Sequence, residues 1–179
     1  MENAGADRAA GDADTPPGPR PLLRVGAVVA ALVVVDQITK SWAVAALADG
    51  PVSVIGDAVE LRLVRNPGGA FGRFQGLTPL LALGAIAITV FLVRTVRTTT
   101  DRILLAGLTL ILAGALGNLG DRVFRSPGVL RGHVVDFVSV GWWPVFNVAD
   151  SCISIGAVLL IVHGFRAPAE TPTTRHPSP

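Results

Sequence analysis

The few ionisable residues set within or beside apolar stretches of this chain stand at spacings that could do chemistry. Asp36 and Lys40 lie i and i+4 in an otherwise apolar run, on one face of a helix. Asn118 and Arg122 repeat that spacing, with Asp121 between them. Asp150 is the only carboxylate of the last apolar run, and Asp136 sits in the segment just before it. Two carboxylates held close together cannot both ionise, so one pKa rises and the pair shares a proton. The charged member can then activate water while the protonated member polarises a carbonyl. That is peptide hydrolysis without a metal or a covalent intermediate, and such a pair titrates as a unit.

The elements that must position these groups belong in lipid. Of 179 residues, 50% are hydrophobic and 16% charged, with a mean hydropathy of +0.56. A water-facing domain carries about a quarter charged residues. The net charge of +2, with no basic run that could track phosphates, argues against nucleic acid. One cysteine and three scattered histidines exclude an intramolecular disulfide and the usual zinc site. Four apolar stretches, at about residues 22–47, 77–93, 103–119 and 145–165, each approach the roughly 20 residues that cross a hydrocarbon core. The first is too long for a cleaved signal peptide and lacks a small-residue cleavage site. Residues 1–21 and 167–179, rich in small and polar residues and proline, are expected to be disordered tails around a membrane domain at 22–166.

Four spans place both termini on one side. Termini-inside puts Arg8, Arg20, Arg24, Arg94, Arg97, Arg102, Arg166 and Arg175 in the cytoplasm, against Arg62, Arg65, Arg73, Arg122, Arg125 and Arg131 outside. Arg94, Arg97 and Arg102 are expected in a tight inner loop, which carries most of the orienting signal. The outer segments are more than connectors. Residues 59–63 alternate as a half-buried strand does, and 132–140 are rich in β-branched residues. Trp142 and Trp143 suit the headgroup depth. No internal repeat of the transporter kind is visible.

Antiparallel spans bring the polar groups to one depth: late in the first, late in the third, early in the fourth. At about 1.5 Å per residue, Asp36 lies roughly 20 Å along from Leu22, past the midplane. Three spans delivering polar groups to one leaflet imply one site, and the second delivers none. The spacing leaves two alternatives open. Each polar group could merely pair with a neighbour to hold the bundle, or Lys40 and Arg122 could snorkel to the interface.

The residues then become recognisable. In order along the chain stand Asp36-Gln37-Ile38-Thr39-Lys40, Asn66-Pro67-Gly68-Gly69-Ala70-Phe71, Gly117-Asn118-Leu119-Gly120-Asp121-Arg122, Val134-Val135-Asp136-Phe137 and Phe146-Asn147-Val148-Ala149-Asp150. With these five blocks on four spans, the chain resembles the lipoprotein signal peptidase (signal peptidase II) family from about residue 22 to 165. Gly69 stands where that family often has alanine. The resemblance implies an all-α membrane protein with four transmembrane helices, a small extracytoplasmic β-sheet and an outer loop. It implies an aspartic endopeptidase of the bacterial cell membrane that cuts the signal peptide from prolipoproteins just before a diacylglyceryl cysteine. Its partners would be those precursors and membrane lipids, with no metal or organic cofactor. Asp136 and Asp150 would be the catalytic pair, surrounded by Asn66, Asn118, Arg122 and Asn147 and supported by Asp36, Lys40 and Gly68.

Local chemistry offers roles beside the resemblance. Asn66 could hold substrate backbone or serve an ordinary turn, and Asn147 could orient a carboxylate or cap the fourth helix. Gly68 and Gly69 permit close backbone approach. Phe71, Trp142 and Trp143 are expected against lipid, Cys152 in packing, and His163 at the cytoplasmic end. The rival chemistry is a serine–lysine dyad using Lys40 with Ser139 or Ser151, and the rival class is a proton or ion relay.

Overall fold

The computed structural model describes residues 19–68 and 77–166. Four helices and three strands follow in the order α1 (Pro19–Ala46), β1 (Val52–Ile55), β2 (Val59–Asn66), α2 (Thr78–Thr98), α3 (Arg102–Phe124), β3 (Val134–Val140) and α4 (Val148–Arg166). All four helices are long and apolar enough to cross a membrane. α1 begins at Pro19, inside the stretch expected as tail, while the remainder of both expected tails and Gly69, Ala70, Phe71 and Arg73 lie outside the described residues.

The helices are inverted relative to those of a water-soluble protein. In α1, Ile38 is 63% exposed while Asp36 and Lys40 are 1% and 0% exposed, so apolar side chains face outward and charges face the bundle. α3 is the central helix and packs against α1, α2 and α4. Its closest neighbour is α4, because glycines let the backbones meet: a Cβ on Gly114 would collide with the carbonyl oxygen of Ala149, and one on Gly156 would lie 2.6 Å from the carbonyl of Gly107. An apolar core of Val29, Leu92, Val96, Leu108, Leu112 and Ala113 fills the bundle toward one end.

Two helices are longer than their apolar runs. α2 continues through Arg94 and Arg97, and α3 begins at Arg102, so the expected tight arginine loop shrinks to 99–101. Long arginine stems can extend a helix at the interface without placing the charge in hydrocarbon. Asp101 caps α3, its side chain accepting the Leu104 N–H at 2.8 Å, and that backbone bond holds its carboxyl below the usual range.

At the other end of the bundle the strands form an antiparallel sheet in the order β1-β2-β3. β1 and β2 make a hairpin whose turn needs the positive φ of Gly56 (47°). The alternation expected at 59–63 continues to Asn66. β3 pairs with β2 so that Val64 faces Asp136 and Asn66 faces Val134. After β3 the chain turns at Gly141, and Phe146 bridges back to Val138 before α4 starts. The sheet thus carries Asn66 and Asp136 to the end of the bundle where α4 begins.

Candidate active site

The start of α4 is built by a reciprocal cap. Asn147 Oδ1 accepts the Asp150 N–H at 2.9 Å, and Asp150 Oδ2 accepts the Asn147 N–H at 3.2 Å. With its oxygen so used, the Asn147 amide nitrogen points the other way and donates to Asp136 Oδ1 at 2.7 Å, with the Val135 carbonyl at 3.3 Å and Asn118 Oδ1 at 3.2 Å. The two roles considered for Asn147 are therefore one: the residue that caps α4 also links Asp136 to Asp150. Asp136 Oδ2 accepts from Asn66 Nδ2 at 3.0 Å, and Asn66 Oδ1 accepts the Gly68 N–H at 3.0 Å, which shapes the turn after β2. Asp150 Oδ1 accepts from Asn118 Nδ2 at 2.8 Å. Burial pushes the Asp136 carboxyl up to about 6; the Asn66 bond opposes the rise and the charge of Asp150 adds to it.

Beneath the pair lies a hub. Lys40 Nζ reaches Asp36 Oδ2 at 2.8 Å, Asp121 Oδ2 at 2.9 Å and Asn118 Oδ1 at 2.9 Å, and its side chain is wholly buried. All three ammonium N–H bonds are spent there, leaving none for Ser139 or Ser151, whose hydroxyl donates instead to the Asn147 carbonyl at 3.0 Å. The serine–lysine alternative is thus left without a lysine–hydroxyl contact among the described residues. Each hub carboxylate also grips backbone. Asp36 Oδ1 accepts the Ala149 N–H at 2.9 Å, and Asp121 Oδ2 accepts the Val135 N–H at 3.1 Å. Ala149 and Val135 are the residues immediately before Asp150 and Asp136. One lysine and two carboxylates therefore hold both candidate carboxylates in place through their own chain.

Asp121 and Gln37 were not among the sequence candidates. Gln37 Nε2 spans Asp36, Asp121 and the Gly117 carbonyl at 3.1–3.2 Å. Asp121 also binds Arg125 Nε at 2.6 Å. The return of β3 onto α3 gives Asp121 a second task beside Arg125, as acceptor for the Val135 N–H.

Asn66, Asn118, Arg122, Asp136 and Asp150 line a cavity of about 300 Å³, closed on other sides by Trp143, Phe146 and Ile153. Arg122 donates from Nη1 to the Asn118 carbonyl at 3.1 Å, while its buried Nε–H has no hydrogen-bond partner among the described residues. The site thus gathers every sequence candidate: Asp36, Lys40, Asn118, Arg122, Asn147 and Asp150 from helices and the cap, Asn66 and Asp136 from the sheet, and Gly68 from the turn after β2. Trp142 is 86% exposed, as a lipid anchor requires, and Cys152 is buried in packing. His163 lies 3.5 Å from Asp101 at the opposite end of the bundle.

Fold and site together define a polytopic membrane protein with a two-carboxylate centre buried at one end of four spanning helices. The family model for signal peptidase (SPase) II matches residues 28–166, and the chain belongs to that family. It is 59% identical over 128 residues to a lipoprotein signal peptidase of Rhodococcus jostii, a match covering 71% of this chain and 65% of that protein. It is 52% identical over 155 residues to the Mycolicibacterium smegmatis protein of that name, covering 86% and 66%. For Mycobacterium tuberculosis the identity is 48% over 154 residues, covering 86% and 76%. The chain therefore spans just under two thirds of the length of the first two relatives. A solved structure described as a bacterial membrane enzyme, obtained by the in meso method, superposes with a TM-score of 0.70 at 27% identity, covering 84% of this chain and 95% of that one.

Proposed function

We propose that this chain is a membrane aspartic endopeptidase that removes the signal peptide from diacylglyceryl-modified prolipoproteins, cutting before the lipidated cysteine. The observation that carries the reading is Asn147, whose side-chain amide joins the Asp136 carboxylate to the Asp150 backbone N–H at a cavity that both carboxylates line. In this reading the shared proton starts on Asp136, whose carboxyl burial raises to about 6. Asp150 takes a proton from water as the water oxygen attacks the scissile carbonyl carbon. Asp136 gives its proton to the carbonyl oxygen, producing a neutral tetrahedral diol. Asp150 then gives its proton to the departing nitrogen while one diol hydroxyl gives its proton to Asp136; the C–N bond breaks, leaving an amine and a carboxyl product, and the pair again holds one proton.

The surrounding groups fit those steps. The unpartnered Nε–H of Arg122 is a ready donor for a substrate carbonyl. Asn66 and Asn118 fix the two carboxylates from opposite sides. Trp143, Phe146 and Ile153 offer an apolar wall for the lipid-bearing cysteine. By the arginine distribution the termini are cytoplasmic and the site opens at the extracytoplasmic leaflet, with 22–166 as the peptidase domain between two tails.

Purified protein in detergent, given diacylglyceryl-modified and unmodified precursor, tests the substrate. Mass spectrometry should find cleavage of the modified precursor alone, with the lipidated cysteine as the new N-terminus, and Ser139→Ala with Ser151→Ala should still cut. Equal cleavage of unmodified precursor, or a cut elsewhere, rejects the substrate assignment.

A further inference from the structure

Strand β3 separates two cavities. Asp136 and Val134 line the site, whereas His133 and Val135, on the opposite face by the alternation of a strand, line a second cavity of about 400 Å³. Val44 of α1, Arg65 of β2, Phe124 and Arg125 at the end of α3, and Ser126 and Pro127 just after it also line it. The charges around it do not balance. Lys40 and Arg125 offset Asp36 and Asp121, and Arg122 faces the candidate pair. Neither Arg65 nor His133 has an ion-pair or side-chain hydrogen-bond partner among the described residues. Among the described residues no carboxylate lines the cavity. Asp121, behind Arg125, is fully buried and already engaged by Lys40, Arg125 and the Val135 N–H.

The position specifies the ligand further. Phe124 and Val44 sit at or near the ends of two apolar spans, and Phe124 is 87% exposed. The cavity is therefore cationic where lipid headgroups lie and apolar where acyl chains begin. We propose that it binds the phosphate of an anionic membrane lipid, with Arg65, Arg125 and His133 around the phosphate and the acyl chain along Phe124. A free phosphate would satisfy the cations but leave the Phe124 shelf unused. The inference needs only that α1 and α3 span a membrane, and holds whether or not the opposite cavity is a peptidase site.

Native mass spectrometry of the full chain in detergent, with phosphatidylglycerol and phosphatidylcholine of identical acyl chains, tests it. A surface cation contributes about 1 kcal/mol to anionic lipid binding, so with Arg65 the unpaired cation the parent should retain phosphatidylglycerol about fivefold better than phosphatidylcholine. The double variant Arg65→Gln with His133→Gln should bring that preference to within about twofold, and Arg65→Lys should keep it. Inorganic phosphate should not displace the lipid. Retained preference in a folded double variant, no preference in the parent, loss of preference in Arg65→Lys, or displacement by inorganic phosphate would each overturn the assignment.

Discussion

Replacing Lys40 by methionine removes a wholly buried ammonium from between two buried carboxylates, and the geometry says which carboxylate suffers. Asp121 keeps Arg125 Nε at 2.6 Å. Among the described residues Asp36 keeps only neutral donors, the Ala149 N–H and the Gln37 amide. Breaking a buried pair by removing one partner costs about 3–5 kcal/mol, because the remaining charge is stranded. The loss in Lys40→Met should fall in that range and should reside mostly on Asp36. Adding Asp36→Asn should then recover most of it, whereas adding Asp121→Asn should recover less than about 1 kcal/mol, because it leaves Arg125 unpaired. Unfolding of the purified variants in mixed detergent micelles, followed by far-UV circular dichroism, reads these differences. A loss under about 1 kcal/mol, or equal rescue by the two asparagines, would refute the hub.

The other expectations concern the pair and its supports. The raised pKa of Asp136 adds stability that is fully present below its unfolded value of 3.8 and lost as pH rises through about 6. From 3.8 to about 6 this amounts to about 3 kcal/mol; a stability curve against pH should lose that slope in Asp136→Asn, and an identical slope would contradict the burial argument. Asn66→Ala removes a donor that favours ionised Asp136, so the alkaline limb of the cleavage profile should move to higher pH; a downward move would oppose it. Gly114→Ala drives a methyl group into the Ala149 carbonyl, pushing the start of α4 from α3. It should cost about 1–3 kcal/mol in the same unfolding assay, and a neutral result would deny the close approach.

Much of this arrangement was legible in sequence because lipid imposes simple demands. Four apolar runs could only be spans, and Asp36, Asn118 and Asp150, set in or beside those runs, had to face inward, while Lys40 was left between an inward pair and the interface. The strand at 59–63 showed through its alternation, but its extension to Asn66 and the pairing of Val64 with Asp136 depend on where β3 returns, which local pattern does not encode. Hydropathy alone stops the second span at Val93, whereas α2 continues through Arg94 and Arg97 to Thr98. Asp121 was passed over because its significance is tertiary: it holds a strand amide fourteen residues away in the chain. Asn147 was seen as a cap or an orienting group, and only the geometry shows that capping with Oδ1 is what turns Nδ2 toward Asp136.

The central claim is that Asp136 and Asp150 together hydrolyse the peptide bond. Cleavage of a diacylglyceryl-modified precursor by the parent, Asp136→Asn and Asp150→Asn, each confirmed as folded by its unfolding curve, measures it. Both variants should fold, and each should lose cleavage by at least about 10³-fold, because either carboxylate alone lacks its partner's proton or its partner's charge. A folded variant of either kind that cleaves within about tenfold of the parent would contradict the account.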